Sequence, residues 1–552
     1  MHPESTVTVS PQAAATNAPD RHWTGRHWTR IDSPILAGYA VVVAVGIRWH
    51  EPWADEAQSW LLARDNSWPE LMLHRLHYEG TPGLWHTLLW ILVRLHVSYE
   101  GMHWFAGGCA VIGIVLLLRF APFPFWLRAL LPFTFWLAYQ NAVVARSYVL
   151  FTPFAFAAAA LLRSPVRRPL AVAAVLGLMA NISLHGFVAS VGFATAVAFG
   201  ARREQHSATS AGLVSSWLPA AALLAAFWLG AIVVMYPAPD ADFGGARNVE
   251  RAAAALSGAF GDHGPAAAPA TSGELHPQPP VRPLRTHAQA VWRAVAHILG
   301  LLTYPLSAIP LLGLAVCAFV VAEAQVSSQI RWLMPWLLMV IVFTVVALRP
   351  HHAGMLAVAF VAALWMLWPE QAPPAGFRLW LHRLTLIALA AICLEQISWT
   401  LHAVRADVHG HYCGDLATAQ FLVAHARGKR VAGFAYESIG PVAWFSGPIY
   451  INQPHACWLW SSNARVNAQA PAVLSTRPDF IVYGGADVDP RQGDVSDDWY
   501  RVTDPAVPLG DRYGVLAWAR THGYLETHRF CGHAWMRSGS VEALCQVILE
   551  PQ

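Results

Sequence analysis

Four polar clusters interrupt a chain that is otherwise strongly apolar, and they hold the residue types that acid–base and phosphate chemistry requires. The first is His50-Glu51-Pro52-Trp53-Ala54-Asp55-Glu56-Ala57, directly after an apolar run. Adjacent carboxylates at such an edge are costly unless paired or used. Asp55 and Glu56 fit two roles: a general base, and the cap of a helix over 57–65. The second cluster is His77-Tyr78-Glu79-Gly80-Thr81-Pro82-Gly83, where Gly and Pro make a turn. His77 there reads either as part of a solvated turn or, with Glu79, as a substrate contact. The third is Tyr139-Gln140-Asn141-Ala142-Val143-Val144-Ala145-Arg146-Ser147-Tyr148. Arg146 is expected near the outer end of an apolar helix, where an arginine is either functional or snorkels to the interface. The fourth is His185 in Asn181-Ile182-Ser183-Leu184-His185-Gly186, joined by His351 and His352. Carboxylates suit general-base work, and a guanidinium suits two-pronged binding of phosphate. Together they suit a substrate that is anionic and embedded in a membrane like a phospholipid.

The elements that must position these groups follow from composition. Of 552 residues 55% are hydrophobic and only 12% charged, against roughly 25% charged in an ordinary soluble domain. Mean hydropathy is +0.38. These values exclude a disordered or fibrous chain and predict a polytopic α-helical membrane protein. Net charge is +3, Lys429 is the single lysine, and no basic run points to nucleic acid. A polar tail covers 1–32, in which Arg21-His22-Trp23-Thr24 is echoed by Arg26-His27-Trp28-Thr29, an interfacial anchor pattern. Apolar runs then follow near 33–49, 82–97, 102–118, 124–140, 142–162, 169–184, 186–200, 215–235, 293–322, 329–347, 353–369 and 383–402.

Arginine placement orients them. Arg21, Arg26 and Arg30 put the tail inside and loop 50–81 outside. Arg163, Arg167 and Arg168, then Arg202 and Arg203, bracket a hairpin whose tip at 181–186 faces out with the start of 142–162. The tally is 11–13 crossings, with 82–97, which carries His86, Arg94 and His96, read as spanning, re-entrant or interfacial. The Pro-, Ala- and Gly-rich loop 236–290 is either a lid or disordered.

From 404 to 552 the composition becomes soluble. Arg430–Tyr436 and Asp479–Tyr483 read as buried strands, with helices at 415–427 and 512–521, which predicts a small outer α/β domain. Cys413, Cys457, Cys531 and Cys545 fall in it, so one or two disulfides are expected in an oxidising compartment. Trp444-Phe445 and Trp458-Leu459-Trp460 read as core or as sugar-stacking aromatics.

In order, these motifs resemble the GT-C superfamily of membrane glycosyltransferases, closest to the branch of protein O-mannosyltransferases and the lipid A aminoarabinose transferase. The resemblance covers 33–235 and continues in hydrophobic pattern to 402. Asp55-Glu56 stands where that branch has its first outer-loop acidic pair, and Gly80-Thr81-Pro82-Gly83-Leu84-Trp85 at its Pro-rich turn, though with one proline. Ala145-Arg146-Ser147-Tyr148 is similar to its Ala-Arg-x-Tyr helix start, and Ser183-Leu184-His185-Gly186 to its Thr-His-aromatic tip, with Leu184 in place of Thr.

The resemblance implies an inverting transfer from a polyprenyl-phosphate sugar to a glycan, lipid or protein acceptor, on the periplasmic face of a bacterial inner membrane. Asp55 would be the base and Glu56 would orient it or the loop. Arg146, Tyr148, His185, His351 and His352 would hold the donor, with His77 and Glu79 on the acceptor side. Some members hold a divalent cation; Asp55, Glu56, His77 and Glu79 are the available ligands, but no spacing among them requires one. Two other readings stand beside this one: a flippase or transporter of a lipid-linked saccharide, and a non-catalytic membrane scaffold for the outer domain.

Overall fold

In the computed structural model the described residues are 28–164, 168–204, 210–241, 295–296, 298–345, 352–368, 376–452, 470–486, 514–535 and 541–552. The tail repeat up to His27, most of loop 236–290, His351, Cys457 and Trp458–Trp460 lie outside them. The protein is mostly helical with one small sheet. Among the described residues four helices are long and apolar enough to cross a membrane: Asp32–Trp49, Gly101–Phe120, Trp217–Met235 and Phe377–His409. Other apolar helices of 10–17 residues pack among them. Large apolar side chains face outward along these helices, among them Val41, Ile112, Leu229, Leu311, Ile387 and Leu394. An outward apolar surface of this kind fits a lipid environment.

The chain begins with α1 (Asp32–Trp49), and α2 (Ala54–Asp65) follows after the four-residue link His50–Trp53. The run at 82–97 is α3 (Leu84–Arg94), 11 residues. At 1.5 Å per residue it spans about 16 Å, half of a hydrocarbon core of about 30 Å. Its first N–H bonds Asn181 O at 3.0 Å, which sets its start against the hairpin tip. Then come α4 (Gly101–Phe120), α5 (Phe151–Arg163), α6 (Pro169–Ala180), α7 (Leu184–Glu204) and α8 (Ser210–Met235). After these follow α9 (Pro310–Val326), α10 (Met334–Val345), α11 (Ala353–Leu367) and α12 (Phe377–His409). Every residue of α11 except Val361 is buried, which makes it the central helix.

Four sequence expectations need correction. The run 124–140 is not one helix: it breaks into Phe125–Leu130, a tight turn at Leu131–Phe133 and a wide turn at Trp136–Gln140. Pro132 has no N–H to give and its ring clashes with the preceding turn. The run 142–162 is helical only from Ser147 onward, so Arg146 is not inside a helix; it sits in extended backbone before one (φ −114°, ψ 164°). The run 293–322 is interrupted at Tyr304–Ile309, between Pro305 and Pro310, and α9 starts at Pro310. Last, α12 runs to His409, beyond the boundary expected at 404. Its 33 residues reach about 50 Å, so its final turns project past a bilayer core and carry Asp407 with them.

Charge separates the two ends of the bundle. Arg128 is fully buried and bonds Asp32 at the start of α1 at 2.9 Å and Leu118 O near the end of α4 at 3.0 Å. Arg163 at the end of α5 bonds Trp365 O near the end of α11 at 2.6 Å. Both arginines therefore lie at the end remote from Asp55.

Beyond α12 lies the small domain. Its sheet is ordered β1-β2-β4-β3, with β1 (Val431–Phe434), β2 (Phe480–Ala486), β3 (Tyr524–Trp535) and β4 (Val541–Pro551). β1 and β2 are parallel and the other pairs antiparallel. Among the described residues the helices beside it include α13 (Asp415–His425), Ala470–Ser475 and α14 (Val515–Thr521). The domain is fixed to the bundle by several bonds from α2 and the link before it. Arg64 on α2 donates to Phe445 O at 2.5 Å, and Glu51 accepts the Leu416 N–H at 2.8 Å. A disulfide joins Cys531 and Cys545 across β3 and β4, and Cys413 remains a thiol that donates to Pro52 O at 3.4 Å. Closing a loop of 14 residues is worth about 3 kcal/mol in the chain-entropy account. Peptide mapping without reductant is therefore expected to recover these cysteines as one linked fragment, and reduction to lower the thermal midpoint of the domain.

Candidate functional site

Two neighbouring residues of α2 point into different surroundings. Successive helical side chains are about 100° apart, so Asp55 and Glu56 cannot face the same way. Trp53 is extended (φ −109°, ψ 177°), and Glu56 turns back to accept its N–H at 3.2 Å, which settles the start of α2. The same carboxylate accepts the Ala145 N–H at 2.5 Å and meets His103 Nε2 at 2.9 Å and His50 Nε2 at 3.2 Å. His50 Nδ1 faces Asp407 of α12 at 3.3 Å, and Tyr139 O–H donates to Asp407 at 2.8 Å. Burial works against charge on Glu56, yet His50 and His103 outweigh it and hold the carboxyl well below its usual range. Burial likewise opposes charge on His50, which Glu56 and Asp407 nevertheless hold up at about 10. This cluster is closed to water, with Glu56 and His50 at 0% side-chain exposure. Through Ala145 it fixes the backbone immediately before Arg146.

Asp55 opens onto the other side. Its Oδ2 bonds Arg146 Nη1 at 2.5 Å and its Oδ1 accepts the Tyr436 O–H at 2.7 Å. The same Tyr436 hydroxyl, with one proton to share, also meets Gln58 Oε1, and the Gln58 amide donates to Glu79. The Asp55 and Arg146 side chains are 14% and 20% exposed, so this pair meets solvent and the Glu56 cluster does not. Arg146 lies over the Tyr148 ring at 5.6 Å. From Tyr148 the contacts run to His352 (5.3 Å between ring centroids), to His185 (4.7 Å) and to Phe343, on which His185 stacks at 4.4 Å. Gly354 closes the near side: a Cβ there would meet Asn141 Oδ1 at 2.7 Å. Both ring nitrogens of His185 and both polar atoms of the Asn141 amide are buried without a hydrogen-bond partner. Each such atom costs about 1–3 kcal/mol unless water or a ligand meets it.

The residues singled out in the sequence thus divide. Asp55, Arg146, Tyr148, Glu79, His185 and His352 form one continuous set. Glu56 lies behind it. His77 does not join: its Nδ1 bonds Tyr236 O at 2.5 Å, where the start of the long loop rests on the second cluster. His351 is outside the described residues. Asp55, Glu56, His77 and Glu79 therefore do not share a cation site, and a guanidinium already occupies Asp55. Tyr436, Gln58, His103 and Asp407 belong to the site or its support and were not read from the sequence as such. Tyr436 follows Ala435, whose φ of 67° and ψ of 162° lie in a region that only glycine visits freely. A residue held there costs about 1–3 kcal/mol, and it turns Tyr436 from β1 toward Asp55.

Glu79 supplies a measurable signature. Loss of water raises its carboxyl to about 7, although Arg146 and the Gln58 hydrogen bond pull the other way. An acid raised in the folded state holds its proton there while the unfolded chain releases it. Its contribution is full below about 4.5 and is lost as pH climbs through about 7. The thermal midpoint is expected to decline across that window, and Glu79→Gln to flatten the decline; a slope unchanged by the substitution assigns it to other groups.

No family model, no curated protein and no solved structure matches this chain.

Proposed function

We propose that the protein is a polytopic membrane enzyme of the GT-C type, an inverting glycosyltransferase. It takes its sugar from a polyprenyl-phosphate donor and passes it to an acceptor at the outer face of a bacterial inner membrane. The observation that carries this reading is the Asp55–Arg146 pair: a carboxylate and a guanidinium 2.5 Å apart, both partly exposed, where the helical bundle meets the small domain through Tyr436. A donor phosphate offers the guanidinium a better two-pronged partner. As Arg146 turns to it, Asp55 is released to accept a proton. Asp55 then deprotonates the acceptor hydroxyl or amine, whose electron pair attacks the anomeric carbon. The bond from that carbon to the phosphate oxygen breaks, and polyprenyl phosphate leaves with the pair and with its charge against Arg146. The gain lies in the charge that develops during bond breaking, which is the stabilisation that lowers a barrier.

Other features support the same reading. Buried His185 and Asn141 present unpaired polar atoms along the Tyr148–His352 wall, where a sugar or phosphate would find partners. The arginines at the remote end, Arg128 and Arg163, favour a cytoplasmic placement of that end, hence an outer placement of Asp55. The Cys531–Cys545 disulfide favours an oxidising compartment for the small domain. Polar groups gathered at one end of the bundle fit a surface reaction better than a midplane transport site. The domain itself takes part, since Tyr436 orients Asp55.

The test is a transfer assay on protein purified in lipid with a panel of polyprenyl-phosphate sugars. Release of polyprenyl phosphate by wild type and not by Asp55→Asn supports the proposal. A folded protein that binds a donor and releases nothing overturns it in favour of transport or scaffolding.

A further inference from the structure

The closed cluster behind Asp55 has the composition of a metal centre, and none of its groups takes part in the transfer step. His50 Nε2, His103 Nε2 and a Glu56 carboxylate oxygen lie within 4.8 Å of one another. They come from three elements: the residue that caps the end of α1, the first turn of α4 and the first turn of α2. We propose that these three residues bind a structural transition-metal ion, with zinc the best fit, which ties the three elements together behind the reacting pair.

Four observations carry the assignment. Two imidazoles and a carboxylate are a ligand set that zinc accepts, with bonds of about 2.0–2.1 Å. Ligand atoms on a tetrahedron of that size are about 3.3 Å apart; Glu56 Oε1 lies 2.9 Å from His103 Nε2 and Oε2 lies 3.2 Å from His50 Nε2. The outer layer is already built. His50 turns its Nδ1 to Asp407, itself held by Tyr139, so its Nε2 lone pair is aimed at the cluster. A histidine backed by a carboxylate in this way is the usual support of a metal ligand. The Glu56 oxygens are in turn fixed by the N–H groups of Trp53 and Ala145, which stay in place when a metal takes over the imidazole contacts. Finally, Glu56 and Asp407 bring two negative charges into a dry interior beside two imidazoles. One divalent cation balances them while leaving both rings neutral, as ligation requires. Glu56 turns Oε1 to His103 and Oε2 to His50, so a bidentate carboxylate supplies the third and fourth ligand atoms, and burial of all three residues at 0–4% side-chain exposure closes the site.

This inference does not depend on the glycosyltransferase reading, and its test is read without activity. Protein purified in detergent without chelator is analysed for metal by mass spectrometry. About one zinc per chain is expected in wild type and in Asp55→Asn, whose side chain faces away. Glu56→Gln and His103→Gln are expected to lose it. Because these variants can also fail to fold, a second measurement uses wild type alone. Chelation should lower the thermal midpoint, added zinc should restore it, and cobalt(II) in its place should give the visible absorption of a tetrahedral nitrogen–oxygen site. Wild type without stoichiometric metal and indifferent to added zinc and cobalt overturns the proposal, leaving protons to balance the cluster. Zinc retained in folded Glu56→Gln and His103→Gln also overturns it.

Discussion

Asp55→Asn is expected to abolish transfer while leaving donor binding intact. The substitution keeps the shape of the side chain and the oxygen that accepts from Tyr436 at 2.7 Å, so the loop should hold its course. What it removes is the carboxylate that, among the described residues, pairs with Arg146. A positioned general base typically contributes a factor of roughly 100–10,000, and the turnover number should fall by that much. Donor affinity should not fall with it. In the resting protein Arg146 is held by Asp55 at 2.5 Å, and a phosphate must compete with that carboxylate. An amide competes less, so the donor should bind as tightly as before or more so. This pairing of lost turnover with unimpaired binding separates a base from a residue that merely shapes the pocket, whose loss would weaken both. If Asp55→Asn keeps its turnover, the base lies elsewhere, and Glu79 is next: its carboxyl at about 7 is poised to exchange protons near neutral pH.

The parts of this site legible in the sequence are those where a polar residue breaks an apolar pattern. Asp55, Arg146 and His185 stand out because charge and imidazole at the margin of an apolar run must be paired or used. Their convergence was not legible. The sequence places Arg146 in a helix, since Val143, Val144 and Ala145 continue the apolar run. The turn at 141–146 instead combines local bonds, such as Arg146 N–H to Val144 O, with a tertiary bond that no local pattern reports, Ala145 N–H to Glu56. The split between Asp55 and Glu56 follows from helical geometry once α2 is placed, but which one faces the opening depends on where His50 and His103 lie. His103 was invisible as a partner because a single histidine in an apolar run has many explanations. Tyr436 lies 381 residues from Asp55 in sequence, and its approach depends on a strained alanine at 435 that sequence gives no reason to expect. The small domain was legible in outline because buried strands such as Val431–Phe434 are short apolar runs with clear ends. The breaks at Pro132 and Pro305 were available in the sequence and were outweighed by the length of the apolar runs around them.

Arg146→Lys is expected to cost nearly as much as removing the base, despite preserving the charge. Lysine keeps an ion pair with Asp55 within reach, so folding and thermal midpoint should change little; such a pair at a partly exposed site is worth about 1 kcal/mol or less. The leaving phosphate is more demanding. A guanidinium meets it with two parallel N–H groups in a fixed plane, whereas an ammonium is a single mobile point charge. Loss of one positioned donor to a developing oxyanion typically costs a factor of roughly 100–1,000, and turnover with a monophosphate-linked donor should fall by that amount. The Tyr148 ring, 5.6 Å from the guanidinium carbon, holds the planar group in place and would not hold an ammonium equally well. Because Arg146 and Asp55 share one ion pair, their effects should not add: in the double variant the second substitution should cost less than it does alone. Additive losses would mean that the two act in separate steps, and full activity in Arg146→Lys would remove the phosphate from this guanidinium altogether.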